Sequence, residues 1–201
     1  NDAIYAGDGS DTVIAGAGSD LVVGGWGKDT IYADRDSSGN TANAGDVNTI
    51  YGDLDGTARD STSVPGNAQD HQDLIYGDVG DDFIYAGYGD DTVYGLQGND
   101  WIEGGWQADL IYAGVNEAGR VSATPSRNTI YGDTSLAIAA QSPPGLLEAH
   151  RDRIYGDVGD DMVYAGEGAD AVYTLAGNDT VYAGNGDDVV DTSIGDDTVF
   201  G

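Results

Sequence analysis

"GDVGDDFIYAGYGDDTVYG", residues 77–95, sets five aspartates around the triplets Phe83-Ile84-Tyr85 and Thr92-Val93-Tyr94, with no Lys or Arg among them. Asp82 and Asp91 each precede a triplet, and they lie nine residues apart. β-Branched and aromatic residues suit short strands, while the glycines between them permit positive φ and close backbone approach. The stretch therefore reads as turn, strand, turn, strand. It also poses a problem of charge, because nothing within it neutralises the carboxylates.

The same unit extends along the chain. Aligned on Asp or Asn followed by x-[Ile/Val], 17 units start at Asp2, Asp11, Asp20, Asp29, Asn48, Asp73, Asp82, Asp91, Asp100, Asp109, Asn128, Asp152, Asp161, Asp170, Asp179, Asp188 and Asp197. The third residue is always Ile or Val, and the fourth is Tyr in 12 units. Side chains alternate faces along a strand. Two nonapeptides per turn of a parallel coil would therefore bury both Ile/Val rows and turn the Thr and Tyr positions outward.

Four insertions interrupt the nines, at about 34–47, 54–72, 115–127 and 134–151. The steps Asp29 to Asn48 and Asp109 to Asn128 are both 19; Asn48 to Asp73 is 25 and Asn128 to Asp152 is 24. A super-repeat of about 80 residues and six strands results, so equivalent insertions should leave the same edge of the coil. The 201 residues are expected to form one continuous roll, and the repeat running off both ends suggests an excerpt of a longer protein.

Composition bounds the function. Seven Lys plus Arg face 36 Asp plus Glu, a formal charge of −29, so self-repulsion opposes compaction and a cation is the missing ingredient. Acidic, glycine-rich chains are often disordered, but 39% hydrophobic residues at strict period favour order. The acidity excludes nucleic acid, whose phosphates need basic partners, and anionic membrane surfaces. With no cysteine, disulfides and zinc–thiolate sites are absent. No signal peptide and no apolar run near 18 residues appears within this stretch, so no transmembrane segment is expected in it. No nucleophile–base constellation or phosphate loop appears, and the segment is read as non-enzymatic.

The unit closely resembles the repeats-in-toxin (RTX) nonapeptide G-G-x-G-x-D-x-U-x, with "GGWGKDTIY" at 24–32 as the cleanest copy. The resemblance implies an all-β fold, a calcium-binding parallel β-roll: a right-handed solenoid with two short strands per 18-residue coil. It further implies that the last Asp of each turn and the turn carbonyls bind Ca²⁺ between turns stacked on one edge. Calcium takes six to eight oxygens from carboxylates and carbonyls, whereas magnesium dehydrates reluctantly.

By register, Asp2, Asp20, Asp82, Asp100, Asp161, Asp179 and Asp197 share one edge, with turn glycines Gly16, Gly18, Gly80, Gly98, Gly159, Gly177 and Gly195. Asp11, Asp29, Asp91, Asp109, Asp170 and Asp188 share the other, with Gly7, Gly9, Gly25, Gly27, Gly87, Gly89, Gly105, Gly166, Gly168, Gly184 and Gly186. Intact neighbours number seven pairs, 2/20, 82/100, 161/179, 179/197, 11/29, 91/109 and 170/188, so about seven calcium sites or more are expected. The ladders should be interrupted before Asn48, Asp73, Asn128 and Asp152. Gln107 in "GGWQAD" and the missing early glycines of "TLAGND" and "TSIGDD" mark weaker turns. Asp78 and Asp157 are read as turn formers.

His71 and His150 share a register in two insertions and are assigned a loop or capping role. Arg35, Arg59, Arg120, Arg127 and Arg151 also lie in the insertions, placed to touch acidic turns or solvent. "SLAIAAQSPPGLLEAH" is apolar enough to fold onto the roll or a partner. "NDT" at Asn178 matches a glycosylation sequon but is read as part of the repeat. The Tyr rows could stack along the sheets, pack another roll or contact sugars.

The functional expectation is a calcium-folded structural segment of a large secreted or cell-surface protein, of adhesin, surface-layer or extracellular fibril type. It would be exported from a bacterium by type I secretion and would contact itself, other surface proteins or polysaccharide. The resemblance equally allows an accessory module of a secreted toxin or enzyme, assisting export and refolding. Ice binding needs a regular hydroxyl array, yet the outer position varies among Thr, Leu, Phe, Trp, Met and Arg.

Overall fold

The computed structural model describes residues 1–34, 46–53, 71–114, 121, 124–133 and 150–201. Arg35, Arg59, Arg120 and all of "SLAIAAQSPPGLLEAH" except His150 lie outside them. Among the described residues there are 17 strands and no helix, hence no helix able to cross a membrane. They form two parallel sheets.

One sheet has nine strands, numbered in chain order as β1 (Ala3–Tyr5), β3 (Leu21–Val23), β5 (Thr49–Tyr51), β7 (Phe83–Tyr88), β9 (Trp101–Trp106), β11 (Thr129–Asp133), β13 (Met162–Glu167), β15 (Thr180–Asn185) and β17 (Thr198–Phe200). The other has eight: β2 (Thr12–Ile14), β4 (Thr30–Tyr32), β6 (Leu74–Tyr76), β8 (Thr92–Tyr94), β10 (Leu110–Tyr112), β12 (Arg153–Tyr155), β14 (Ala171–Tyr173) and β16 (Val189–Asp191). Odd and even strands therefore alternate between sheets, and each rung of the roll is two strands. The parallel β-roll expected from the repeat is what the chain forms.

Register follows from the core. Each Ile or Val pairs with its counterpart on the next rung, as in Ile84↔Ile102, Ile111↔Ile154 and Val163↔Val181. A one-residue slip would turn that whole row to solvent. Ile31, Ile50, Ile75, Ile84, Ile102, Ile111, Ile130 and Ile154 are completely buried. Five strands exceed the expected triplet, because pairs such as Gly87↔Gly105 and Gly166↔Gly184 carry the parallel ladder into the turn.

The insertions fall as their periodicity requires. The two that begin after Asp34 and Gly114 lead from the eight-stranded to the nine-stranded sheet; those after Asp53 and Asp133 lead back. Equivalent insertions thus leave the same edge three rungs apart, about 14 Å at the usual strand spacing.

Outward tyrosines stack face to face. Tyr32, Tyr76, Tyr94, Tyr112, Tyr155 and Tyr173 form one row with centroid spacings of 4.8–5.1 Å. Tyr131, Tyr164, Tyr182 and Phe200 form a second at 4.8 Å. Tyr94 touches a ring on each side, and each aromatic pair contributes about 0.5–1.5 kcal/mol beyond area burial. Tyr94→Ala is therefore expected to cost about 1–3 kcal/mol, read as a lower urea midpoint at fixed calcium.

Candidate metal centre

The aspartate before each strand is where the two edges of the roll are built. Its backbone carbonyl accepts the first N–H of the neighbouring strand, as Asp82 does from Trp101 and Asp91 from Leu110. Its side chain turns inward, and Oδ1 accepts the backbone N–H of the aspartate one rung earlier. On the first edge, Asp2, Asp82, Asp161 and Asp179 donate in this way to Asp20, Asp100, Asp179 and Asp197, at 2.6–3.0 Å. On the second, Asp11, Asp91 and Asp170 donate to Asp29, Asp109 and Asp188, at 2.8–3.0 Å. All seven expected pairs are therefore neighbours.

Oδ2 is the telling atom. In Asp11, Asp20, Asp29, Asp73, Asp91, Asp100, Asp109, Asp152, Asp170 and Asp179 it is buried with no hydrogen-bond partner. A buried, unpaired carboxylate oxygen is costly, and so many in register call for one shared partner. Asp2, Asp188 and Asp197, on the outermost rungs, are less enclosed.

Backbone oxygens share the same pockets. A Cβ placed on Gly95 would lie 2.6 Å from Asp100 Oδ2 and 2.7 Å from the Ala113 carbonyl oxygen of the next rung. Carboxylate and carbonyl thus flank a single point. Among the described residues no three acidic or histidine side chains converge, so any ion held here draws most of its oxygens from the main chain. An all-oxygen set of carboxylates and carbonyls suits calcium.

Glycine is what lets the turns stack so closely. Gly105 has φ +121°, and a Cβ there would meet the Gly87 carbonyl of the preceding rung. Leu96, Gln107, Leu175 and Ser193 hold the same left-handed conformation, with φ between 56° and 86°. The weak turns of the sequence therefore keep their shape against the steric preference of a side chain.

Burial dominates the electrostatics. It pushes the carboxyls of Asp82 and Asp161 up to about 7, Asp170 to about 6 and Asp73 to about 8, with neighbouring aspartates adding to the rise. Asp91, Asp100, Asp109 and Asp152 move the same way for the same first cause. Without a cation, the folded chain binds protons that the unfolded chain releases near pH 4. The linked stability is fully present below that pH and is lost as pH rises through about 6 to 8. The metal-free chain is accordingly expected to show more β structure by circular dichroism at about pH 5 than at about pH 8, and calcium uptake to release protons.

The insertions bring two surprises. Asp73 and Asp152, left out of the ligand set because their turns lack glycines, present the same buried Oδ2 as intact turns. Asp29 and Asp109 donate to their Oδ1 atoms at 2.8 Å. The sign available in the sequence was the retained carboxylate, which Asn48 and Asn128 lack.

Each histidine also meets one carboxylate at the base of its insertion. His150 Nδ1 lies 2.6 Å from Asp133 Oδ1, and His71 Nδ1 3.4 Å from Asp53 Oδ1. The Asp133 hydrogen bond raises the His150 imidazole above its usual range. Each pair ties together the two ends of a long insertion.

Outside the buried row, a second row spaces its charges. Asn99 Nδ2 donates to Asp81 Oδ1 at 3.0 Å, Arg127 lies 3.5 Å from Asp160, and Asn178 Oδ1 accepts the Asp196 N–H at 3.0 Å. Asn178 is thus engaged within the repeat. Asp78 Oδ1 accepts the Gly80 N–H, and Asp157 Oδ1 the Gly159 N–H at 2.7 Å, so both shape their turns.

A family model described as RTX calcium-binding nonapeptide repeat (4 copies) matches residues 1–37, 68–102, 85–116, 149–172 and 164–199, about two thirds of the chain. No curated protein and no solved structure matches it.

Proposed function

Because the chain belongs to the RTX calcium-binding nonapeptide repeat family, we propose that it is a calcium-folded structural segment of a large secreted or cell-surface protein, mediating assembly or surface contact. RTX repeats are typical of proteins secreted by bacteria, and the repeat itself is a structural calcium-binding unit. In this reading the aspartates keep the chain open at the micromolar calcium of a cytosol. Ion binding between rungs closes it after export. The segment has no catalytic role of its own.

The observation that carries the contact role is the placement of the insertions, which leave each edge at a spacing of three rungs. A module serving only secretion has no need of such a period, whereas a surface that meets repeated partners does. The half-exposed tyrosine rows give the broad faces a matching repeat of 4.8–5.1 Å. Sedimentation velocity at millimolar calcium, with negative-stain imaging of the same sample, tests this role. Ordered self-association or attachment to bacterial surfaces is expected; a chain that stays monomeric and attaches to nothing would refute it.

A further inference from the structure

Two links on the first edge are built without an orphaned oxygen. At the first, Asn48 takes the place of the aspartate, and its Nδ2 donates to Asp78 Oδ2 at 2.9 Å and Asp82 Oδ1 at 3.0 Å. Asp82 Oδ2 accepts the Asp78 N–H at 2.8 Å, and Asp78 Oδ1 accepts the Gly80 N–H. All three side chains are buried. Every carboxylate oxygen of the link has a donor.

Eighty residues on from Asn48, Asn128 repeats the arrangement. Its Nδ2 donates to Asp161 Oδ1 at 3.0 Å, and Asp161 Oδ2 accepts the Asp157 N–H at 2.9 Å. Asp157 Oδ2 accepts the Ser126 hydroxyl. These residues are likewise buried.

We propose that the amides of Asn48 and Asn128 stand in for the cation, making the 48/82 and 128/161 links metal-free. The inference rests on the calcium reading above. An amide N–H₂ presents donors to the facing carboxylates, as a cation would present charge, and it would repel an ion brought to the same point. Each lies where an insertion rejoins the roll and the turn glycines are missing, so the strand is locked there by hydrogen bonds alone. The second edge lacks this device: Asp11, Asp29, Asp73, Asp91, Asp109, Asp152 and Asp170 all keep the orphaned Oδ2. The row of ions is thus divided on one edge and unbroken on the other.

Counting bound calcium per chain by native mass spectrometry at saturating calcium tests the division on the full 201-residue chain. Asn48→Asp and Asn128→Asp should each gain about one ion, and the double variant about two. Asn48→Ala and Asn128→Ala should bind as many ions as the unsubstituted chain while melting at lower temperature. By contrast, Asp91→Asn should lose at least one ion. A lower count in either Ala variant, or an unchanged count in both Asp variants, would overturn the proposal. If the unsubstituted chain bound no calcium, the calcium reading itself would fall, so the two failures are distinct.

Discussion

Chelating calcium from the folded chain is expected to abolish its β-sheet circular dichroism signal, and restoring calcium to about 10 mM to return it. Ten buried aspartate Oδ2 atoms have no hydrogen-bond partner among the described residues, and the chain carries a formal charge of −29. Extracellular calcium modules bind at about 10⁻⁴ to 10⁻³ M, so at about 10 mM each site adds roughly 1.4–2.7 kcal/mol by linkage. About seven such sites would contribute roughly 10–19 kcal/mol, as much as the whole stability of an ordinary domain. The term vanishes at micromolar calcium. A chelated chain with an unchanged spectrum at neutral pH would show that the fold stands without the ion.

A single buried rung should reveal the two components of that dependence. Asp109 is 2% exposed, its Oδ1 accepts the Asp91 N–H at 2.9 Å, and its Oδ2 is unpaired. Asp109→Ala removes both the acceptor and the carboxylate. Stranding a buried N–H costs about 1–3 kcal/mol, and losing one ion adds the linkage term, for a total of roughly 2–6 kcal/mol at about 10 mM calcium. Asp109→Asn keeps an oxygen for Asp91 and should cost only about 1.4–2.7 kcal/mol. Urea midpoints at fixed calcium read both, with the slope unchanged. An unchanged midpoint in Asp109→Asn beside a loss in Asp109→Ala would mean that hydrogen bonding alone holds the rung.

The roll was legible because one residue type recurs without exception: the Ile or Val of each unit fixes both period and face. Parallel pairing of odd with odd and even with even strands follows once two units make one coil. The candidate centre was legible only in part. Asp91 and Asp109 declare themselves by the glycines before them, but Asp73 and Asp152 follow insertions in which the local pattern is lost. Their position is set by strand register, through Ile75 and Ile154, and not by their own turns. Asp53 and Asp133 were invisible for a related reason. Each meets its histidine across a long insertion, 18 and 17 residues away, with no local period to link them.

Asn48 and Asn128 show the reverse. Read along the chain they are weakened copies of an aspartate, a charge lost from a motif. In the fold, their amides satisfy the neighbouring carboxylates. The meaning of that substitution lies in Asp78 and Asp82 for Asn48 and in Asp161 for Asn128, 30 to 34 residues downstream, which no short-range motif connects to them.

The most direct measurement is anomalous diffraction from crystals of the chain grown in calcium. The account predicts ions beside the unpaired Oδ2 atoms, in an unbroken row along the second edge at roughly the strand spacing of 4.7–4.9 Å, Asp73, Asp91, Asp109 and Asp152 included, and in a divided row along the first. Density for water alone at those positions, with the roll intact, would contradict it.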